Sequence, residues 1–451
     1  MIKSTGYIWL AIYIASPFLF FLPILFFSPE LTSTIIGLLG TLLGVISFTW
    51  FCWQVVLSAR PKFIERTMGL DTMYTIHVYM PPICIAFGII HGIFFTGFNI
   101  LLEWPYLLGG IALLLFIITG FFAVIILANT PVQKAKIVQN LRSFFKSHFG
   151  LEFERTRLIH NSTMLILTIL FIHVISVPQI RDSAALTAVF SIEFSITLLF
   201  YIYHKFIHTA KVRKHSFTVS LAEQATEGVT RIRMEREPRG SWKPGQFGFF
   251  TFLSDSVPTE EHPFTIANTD THGSFVEINV KAIGDFTSKL PALKKDDRVS
   301  IAKPYGLFSY QLLRTKEYMV CIAGGIGITP IISMIRSLDQ YMTFKKCLLI
   351  WSVKKSHELY LKEEIDNMIT DHEWFHWIPV VNFEPEFPGH TEFLGPNNIK
   401  ELVTKFIPTK AIITNASYFV CGPPALMKVV EDSLKGYGIP KEQIFMEQFR
   451  L

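Results

Sequence analysis

Hydrophobic and polar positions are distributed unevenly along the 451-residue chain. Residues 1–203 contain long apolar runs with few charges, whereas residues 204–451 mix polar and apolar positions as soluble domains do. A helix that crosses a bilayer needs about 20 mostly apolar residues. Six runs meet this requirement, at residues 7–27, 34–57, 73–98, 105–128, 158–177 and 185–203. The pattern predicts a membrane α-helical bundle of six transmembrane helices over residues 1–203, in contact with membrane lipid.

The charged residues between these runs predict the orientation of the bundle. Lys and Arg are concentrated in the 58–72 and 129–157 connections and after residue 203, while the other connections carry few basic residues. Because basic loops stay on the cytoplasmic side, both termini and the soluble half are predicted to be cytoplasmic, in a bacterial inner membrane. The apolar run near Met1 is too long for a signal-peptide core, so we expect it to be a retained helix.

Overall charge and cysteine content exclude other classes of function. The net charge is +5, and the basic residues form no stripe of the kind that binds nucleic acid. Five cysteines show no CxxC spacing, which argues against a disulfide framework or a zinc site. Nothing in the sequence predicts an obligate protein partner.

Four histidines lie inside two of the apolar runs: His77 with His91, and His160 with His173. Ionisable residues within a membrane are costly and mark functional sites. The separations of fourteen and thirteen residues span about 20 Å of helix each. The predicted topology brings His77 level with His160 on the inner side and His91 level with His173 on the outer side. This arrangement predicts two haem sites, because imidazole is a common axial ligand of haem iron.

The spacing also raises a question of geometry. Thirteen residues do not return to the same helix face, so the fifth run needs a bend, a π-bulge or a broad ligand-facing surface. In the third run, Pro81 and Pro82 are expected to kink the helix between its histidines. The alternative interpretation is that the histidines are polar residues satisfied between helices.

The soluble half divides at a change of period. Short alternating strands with turn residues between them predict an antiparallel β-barrel over residues 214–313, after a linker at 204–213. Residues 314–451 predict an α/β domain with a parallel sheet. In that domain, Gly324–Pro330 and Cys421–Pro424 each follow a buried strand and precede a helix, which is the geometry that offers backbone N–H groups to phosphate.

In this order the motifs resemble those of the ferric reductase and NADPH oxidase superfamily of transmembrane flavocytochromes, over roughly residues 34–451. The membrane half resembles the ferric-reductase-type domain, notably at 59–62 and 153–160. The soluble half is similar to the ferredoxin–NADP reductase module, in which a β-barrel binds FAD and an α/β domain binds the nucleotide. The resemblance implies FAD, two b-type haems and NADPH as cofactors, with NADH as the alternative to NADPH.

The resemblance also implies roles for particular residues. The four histidines are the expected metal ligands. The candidates to pair with haem propionates are Arg60, Arg155 and Arg157, which equally fit a role in setting topology alone. Flavin contacts are expected at His262, Pro263, Phe264, Thr265, Gly284, Asp285, Phe286 and Thr287. Nucleotide contacts are expected at Gly324, Gly325, Gly327, Thr329, Pro330, Gly422 and Pro423. Lys354 and Lys355 favour NADPH over NADH if they bind a 2′-phosphate, and they equally fit a solvated basic turn. The resemblance places Cys421 near the nicotinamide and Phe449 over the flavin, which are the two rings that react.

These expectations define an oxidoreductase that moves electrons from cytoplasmic NAD(P)H through FAD and haem to an acceptor on the outer side. The acceptor that the interpretation favours is oxygen, which would give superoxide; a ferric or cupric chelate is the alternative. Two further alternatives are a histidine-based proton transporter or channel with a regulatory flavin domain, and a redox sensor without turnover.

Overall fold

The computed structural model describes residues 6–96, 103–127, 131–151, 153–214, 216–235, 242–269, 275–341, 345–408 and 415–448. It divides into two compact units, Met1–Thr209 and Ala210–Arg450. The first unit holds the apolar helices, and the second holds both β-sheets.

The membrane unit consists of long apolar helices and shorter, more polar ones, and the last helix continues into the second unit. They are α1 (Gly6–Phe27), α2 (Ile35–Ser58), α3 (Lys62–Met68), α4 (Leu70–Thr96), α5 (Trp104–Phe122), α6 (Lys136–Phe149), α7 (Phe153–Asn161), α8 (Thr163–Ser176), α9 (Pro178–Arg181), α10 (Ala184–Ile202) and α11 (Thr209–Lys214). Among the described residues, six helical stretches are long and apolar enough to cross a membrane: Gly6–Phe27, Ile35–Ser58, Leu70–Phe95, Trp104–Leu127, Arg155–Ser176 and Ala184–Lys214. The protein is an integral membrane protein.

These stretches lie where the hydrophobic pattern predicts them, with differences in detail. The sixth continues to Lys214, so residues 204–213 are helical and include a π-helical turn at Tyr203–His208. The fourth also ends in a π-helical turn, Ala123–Leu127. The third runs without interruption from Leu70 to Thr96 across Pro81 and Pro82. The predicted ends at residues 97–98 and 128 lie outside the described residues.

The fifth span is interrupted at Ser162, between its two histidines. Helix α7 ends at Asn161 and α8 begins at Thr163. The backbone N–H of Ser162 donates to Ile159 O at 3.0 Å, and Leu165 N–H donates to Ser162 O at 2.9 Å. These bonds close tighter turns than the α-helical pattern. This local break is the departure from a regular helix that the thirteen-residue spacing of His160 and His173 required.

The soluble unit begins with an antiparallel sheet of strand order β4-β3-β6-β1-β2-β5. Its strands are β1 (Phe217–Thr226), β2 (Val229–Glu235), β3 (Phe247–Leu253), β4 (Glu261–Thr265), β5 (Phe275–Lys281) and β6 (Arg298–Tyr305). Alternate apolar side chains of these strands form one buried core. This is the antiparallel FAD-type domain that the alternating pattern predicts.

The second sheet is parallel, with strand order β11-β10-β7-β8-β9. Its strands are β7 (Tyr318–Gly324), β8 (Lys346–Val353), β9 (Phe375–Val381), β10 (Ala416–Cys421) and β11 (Ile444–Glu447). Helices α12 (Ile328–Gln340) and α13 (Lys362–Asp371) share one core with the sheet, and α14 (Pro396–Thr404) and α15 (Pro424–Gly436) share the other. Because both faces are covered, the strands are continuous apolar runs. The predicted fold class is confirmed.

Arg336 on α12 ties the two sheets of the soluble unit together. Its guanidinium makes two bonds to Glu364 on α13, at 2.6 and 2.7 Å, and one to Glu277 on β5 at 3.0 Å. Glu277 also accepts from Arg233 at 3.0 Å, and its side chain is 3% exposed. Burial alone would raise the pKa of Glu277, but the two adjacent guanidinium groups outweigh it and lower that pKa.

We predict that Glu277→Gln destabilises the soluble unit by about 2 kcal/mol, because Arg336 and Arg233 lose a buried charged acceptor that they share. With a lowered pKa, the carboxylate of the unmodified protein contributes fully above its ordinary value near 4.5 and loses that contribution as the pH falls below it. The variant should therefore lose less stability between pH 7 and pH 4. Denaturant unfolding followed by tryptophan fluorescence measures both effects. Glu401→Gln, which removes an exposed pair with Lys405, is the control; an equal loss in both variants would contradict the prediction.

Candidate functional site

The four membrane histidines meet in two pairs. His91 on α4 and His173 on α8 have ring centroids 6.4 Å apart with the ring planes at 72°. His77 on α4 and His160 on α7 have centroids 6.0 Å apart at 88°. All four side chains are half-buried. The pairs are those that the predicted topology brings to the same depth, 77 with 160 and 91 with 173.

His91 and His173, the pair predicted to lie on the outer side and called the outer pair, are oriented by the same local arrangement. His91 Nδ1 is 2.8 Å from Gly40 O, and the ring lies where a Cβ on Gly44 would be, 2.7 Å from Nδ1. His173 Nδ1 is 2.8 Å from Pro105 O, and a Cβ on Gly109 would lie 2.9 Å from the ring. In each case the imidazole bonds to one helical carbonyl and covers the glycine four residues later. A carbonyl accepts only from a protonated Nδ1, so Nε2 keeps its lone pair.

The inner pair lacks this support in the described part of the chain. The Nδ1 atoms of His77 and His160 are both buried and have no hydrogen-bond partner there. Buried polar atoms without partners are rare in native proteins and mark places where a ligand, ion or water binds. The rings of His77 and His160 are therefore arranged as a pair without the Nδ1-to-carbonyl bonds of His91 and His173.

The donor set fits haem better than a bare metal ion. No cluster of three or more His, Cys, Asp or Glu side chains that could hold a metal occurs among the described residues. Structural and catalytic zinc sites need at least three protein ligands, whereas haem iron needs only its axial ones. Metal–imidazole bonds of about 2 Å on each side put facing ring centroids about 6 Å apart. Both observed separations have this size.

The predicted arginines occupy different environments. Arg60 follows α2 with φ +51°, a left-handed conformation uncommon for residues other than glycine. Arg155 is exposed, and its guanidinium lies over Gly150, where a Cβ would be 2.6 Å from Nη1. Their assignment to haem propionates stays a prediction.

The two predicted flavin segments meet in the antiparallel sheet. The His262 ring stacks on Phe286 with centroids 3.8 Å apart, and His262 Nε2 is 3.0 Å from Glu260 Oε2. Strand β4 holds residues 262–265 opposite β3, pairing Phe249 with Pro263. In the second segment, Thr287 Oγ1 accepts from the N–H groups of Ile283 and Gly284, both at 3.0 Å. Those two N–H groups are thus hydrogen-bonded within the turn.

The two predicted nucleotide turns are in direct contact. Strands β7 and β10 are parallel neighbours, with Ala323 opposite Cys421, so the turns that follow them leave the same edge of the sheet. A Cβ on Gly327 would lie 2.4 Å from Cys421 O, and one on Gly422 would lie 3.0 Å from Gly324 Cα. These glycines permit the close approach of one turn to the other. Gly325 has φ +53° and open space around it.

The remaining residues of these turns are held in place locally. Thr329 is buried and its Oγ1 donates to Ile326 O at 3.1 Å, while Pro330 lies in the first turn of α12, where proline is tolerated. Pro423 contacts the position of a Cβ on Gly324 at 2.8 Å. Cys421 is fully buried, and burial, with Glu447 adding to it, raises the pKa of the thiol well above its usual value.

Two predicted residues lie at the margins of this region. Lys354 is exposed directly after β8. Phe449 lies outside the described residues, and β11 ends at Glu447. The roles assigned to both stay predictions.

The chain matches three family models in succession. They are a ferric reductase like transmembrane component over residues 43–171, an FAD-binding domain over residues 201–309 and an oxidoreductase NAD-binding domain over residues 321–432. Together they define a membrane-bound oxidoreductase. The set matches the ferric reductase and NADPH oxidase type of transmembrane flavocytochrome, and the resemblance seen in the sequence motifs is confirmed.

Individual relatives match about half of the chain. A Na(+)-translocating NADH-quinone reductase subunit, from Shewanella denitrificans, is 25% identical over 226 residues, which is 47% of this chain and 53% of the relative. Its counterpart in Yersinia enterocolitica is 25% identical over 243 residues, covering 51% and 58%. The chain thus spans about half the length of these relatives.

Solved structures of reductases are also similar. A cytochrome P450 reductase of Amycolatopsis aligns with a TM-score of 0.45 and 22% identity over 52% of this chain and 69% of its own. A flavohemoglobin of Malassezia yamatoensis aligns with a TM-score of 0.47 and 17% identity over 94% of this chain and 98% of its own.

Sequence reasoning missed the groups that orient the outer histidines. Gly44 and Gly109 are ordinary glycines within apolar helices, and the acceptors on Gly40 and Pro105 are backbone atoms that have no sequence signature. Only the packing of α4 on α2 and of α8 on α5 identifies them.

We predict that Gly109→Ala removes at least half of the outer-site haem absorbance, because the new Cβ would lie 2.9 Å from the His173 ring. Gly110→Ala makes the same exchange one residue later, where no atom lies within 4 Å, and should leave the spectrum unchanged. Both exchanges favour the helix equally, so their difference reports on the ring. Dithionite-reduced minus oxidised spectra at equal protein concentration measure it, and two identical spectra would contradict the role of Gly109.

We predict that Gly327→Ala raises the KM for NAD(P)H about tenfold, because the two nucleotide turns must separate to admit a Cβ. FAD content should be unchanged. Flavin-dependent reduction of ferricyanide measures the KM. Gly436→Ala, at a helical position with no atom within 4 Å, is the control; a KM that does not change in Gly327→Ala would count against the contact.

Proposed function

We propose that the protein carries electrons from NAD(P)H through FAD and two b-type haems to an acceptor on the far side of the membrane. The observation that carries the proposal is the pairing of four histidines inside the bundle, at centroid separations of 6.0 and 6.4 Å. A proton transporter would also use membrane histidines, but it would not need FAD- and NAD-binding domains on the same chain.

In the membrane half, the histidines would hold the haems, and helix carbonyls orient the rings of His91 and His173. His91 and His173 keep Nε2 available as a ligand because their Nδ1 atoms are bonded to helix carbonyls. His77 and His160 form the second site with Nδ1 unbonded. When bound, FAD accepts a hydride from NAD(P)H and the haems pass single electrons across the bilayer. No acid–base pair or nucleophile is required of the protein for this chemistry.

In the soluble half, the residues of the nucleotide turns would bind the diphosphate and add no charge near the nicotinamide. The turn at Gly325–Gly327 ends at the N-terminus of α12, which offers N–H groups and positive potential to a diphosphate. Cys421, with its raised pKa, stays a neutral thiol beside this turn and adds no charge near a nicotinamide. The relatives are named for NADH, whereas the exposed Lys354 favours the 2′-phosphate of NADPH; we propose NADPH and keep NADH as the alternative.

The proposed orientation places the soluble half and both termini in the cytoplasm of a bacterial cell. The basic connections support it by the positive-inside rule. Arg181 lies in a connection that the same rule assigns to the outside, but it forms an ion pair with Asp182 at 2.9 Å. Its charge is therefore balanced and adds little to the bias.

The proposed acceptor is oxygen, which one electron converts into superoxide. The short outer connections predicted from the sequence support a small acceptor. A ferric or cupric chelate is the second candidate, and the match of residues 43–171 to a ferric reductase like component favours it.

The expected outcome in detergent with added FAD is that NADPH reduces haem and that turnover reduces cytochrome c in a reaction blocked by superoxide dismutase. Replacing His91 or His173 by Leu should lower this rate at least a hundredfold while flavin reduction by NADPH is retained. Stopped-flow absorbance separates flavin from haem reduction. His148→Leu, at an exposed site on α6, is the matched control.

Each alternative has its own signature in this assay. Ferric chelate reduction that persists without oxygen identifies a metal reductase and contradicts the oxygen proposal. Protein without haem absorbance contradicts electron transfer through the histidine pairs. Failure of flavin reduction in the His91 and His173 variants would contradict the separation of the two halves.

A further inference from the structure

Glu193 is a carboxyl group buried within the membrane bundle that the proposed electron path does not use. It lies on α10, is 5% exposed, and both of its carboxyl oxygens are buried from solvent. The Thr49 hydroxyl on α2 is its polar neighbour and can donate to a carboxyl oxygen.

The groups around Glu193 offer no cation. On α2 its titratable neighbour is Cys52, a fully buried thiol. On α10 itself, Thr197 Oγ1 donates to the backbone carbonyl of Glu193 at 3.1 Å. None of the ion pairs formed by described residues includes Glu193.

Helices α1, α8 and α9 also pack on α10, and their titratable side chains are engaged elsewhere or lie at their ends. Tyr13 OH accepts from Gln54, His173 bonds to Pro105 O, and Arg181 pairs with Asp182; Tyr7 is exposed near the start of α1. An unpaired carboxylate is too costly to keep in such surroundings. The group therefore ionises only while positive charge nearby balances it, and otherwise it takes up a proton.

The depth of Glu193 follows from the contacts of α2 and α4. Ser47 Oγ donates to Cys84 O at 2.9 Å. Cys84 lies seven residues from His77 and seven from His91, so Ser47 is level with the midpoint between the two histidine pairs. Thr49 is two residues further along α2, about 3 Å of helix rise. Glu193, its neighbour, is thus in the layer between the pairs.

We propose that Glu193 is a proton-binding site whose occupancy is linked to the electron count of the two histidine-held sites. The inference rests on the proposed function, which supplies those electrons from NAD(P)H. Each electron that enters the layer adds one negative charge in a medium of low dielectric, where charges interact strongly. Binding of up to one proton to a Glu193 oxygen balances that charge, and the proton leaves when the electron does. The proton comes from water at a membrane surface.

The test is a spectroelectrochemical titration of the haem-loaded protein between pH 6 and pH 9. We expect midpoint potentials that fall as pH rises, toward the limit at which a tenfold change in proton activity corresponds to about 59 mV for a one-electron couple. Glu193→Gln should remove at least half of this slope. Glu193→Asp should keep it, and Glu30→Gln, an exposed carboxyl outside the membrane-spanning helices, should match the unmodified protein.

Infrared difference spectra provide a second measurement that does not depend on turnover. Reduction of the unmodified protein should increase the carbonyl stretching band of a protonated carboxyl group, and that band should shift in Glu193→Asp. If Glu193→Gln does not retain haem, this band decides: its appearance supports the proposal and its absence overturns it.

The remaining outcomes distinguish a failure of this inference from a failure of the proposed function. Potentials that are independent of pH in the unmodified protein, or an equal slope in Glu193→Gln, overturn the proposal while leaving the proposed electron path intact. A protein that binds no haem at the histidine pairs overturns the proposed function and this inference with it.

Discussion

Polar side chains inside the bilayer cannot rely on water, and this constraint organises the membrane unit. Several polar groups there bond across helices to backbone carbonyls of a neighbouring helix. Trp50 Nε1 donates to Tyr13 O at 3.0 Å, Ser47 to Cys84 O, and His91 and His173 use Gly40 O and Pro105 O in the same way. A carbonyl has two lone pairs, so it can accept such a bond as well as one within its own helix. The orientation of His91 and His173 therefore follows from the use of helix carbonyls as acceptors for side chains.

The soluble unit brings its site together by a different route. There the parallel pairing of β7 and β10 places Ala323 opposite Cys421, and the two turns that follow meet through glycine backbones. No side chain is needed to join them. Arg336 then links this sheet's α12 to Glu277 in the antiparallel sheet. The membrane site is thus assembled by side chains on helices, and the nucleotide site by main chain at a sheet edge.

Much of this architecture could be predicted from the sequence, because hydrophobic period and length directly reflect burial. The six spans, the change from alternating to continuous strands and the pairing of His77 with His160 follow from such patterns. The break at Ser162 could not be located, since serine is compatible with a helix interior and is no stronger a signal there than its neighbours. The helical state of residues 204–213 was also missed, because a polar composition is equally typical of a linker.

The fit of each outer ring over a glycine has a consequence for how such chains can diverge. A lineage that lost His173 would lose the nearest obstacle to a side chain at Gly109, since the three atoms nearest to that Cβ position belong to the ring. A lineage that keeps His173 cannot change Gly109 without moving the ring. The same dependence links Gly44 to His91. The glycine and the histidine of each pair are therefore expected to change together.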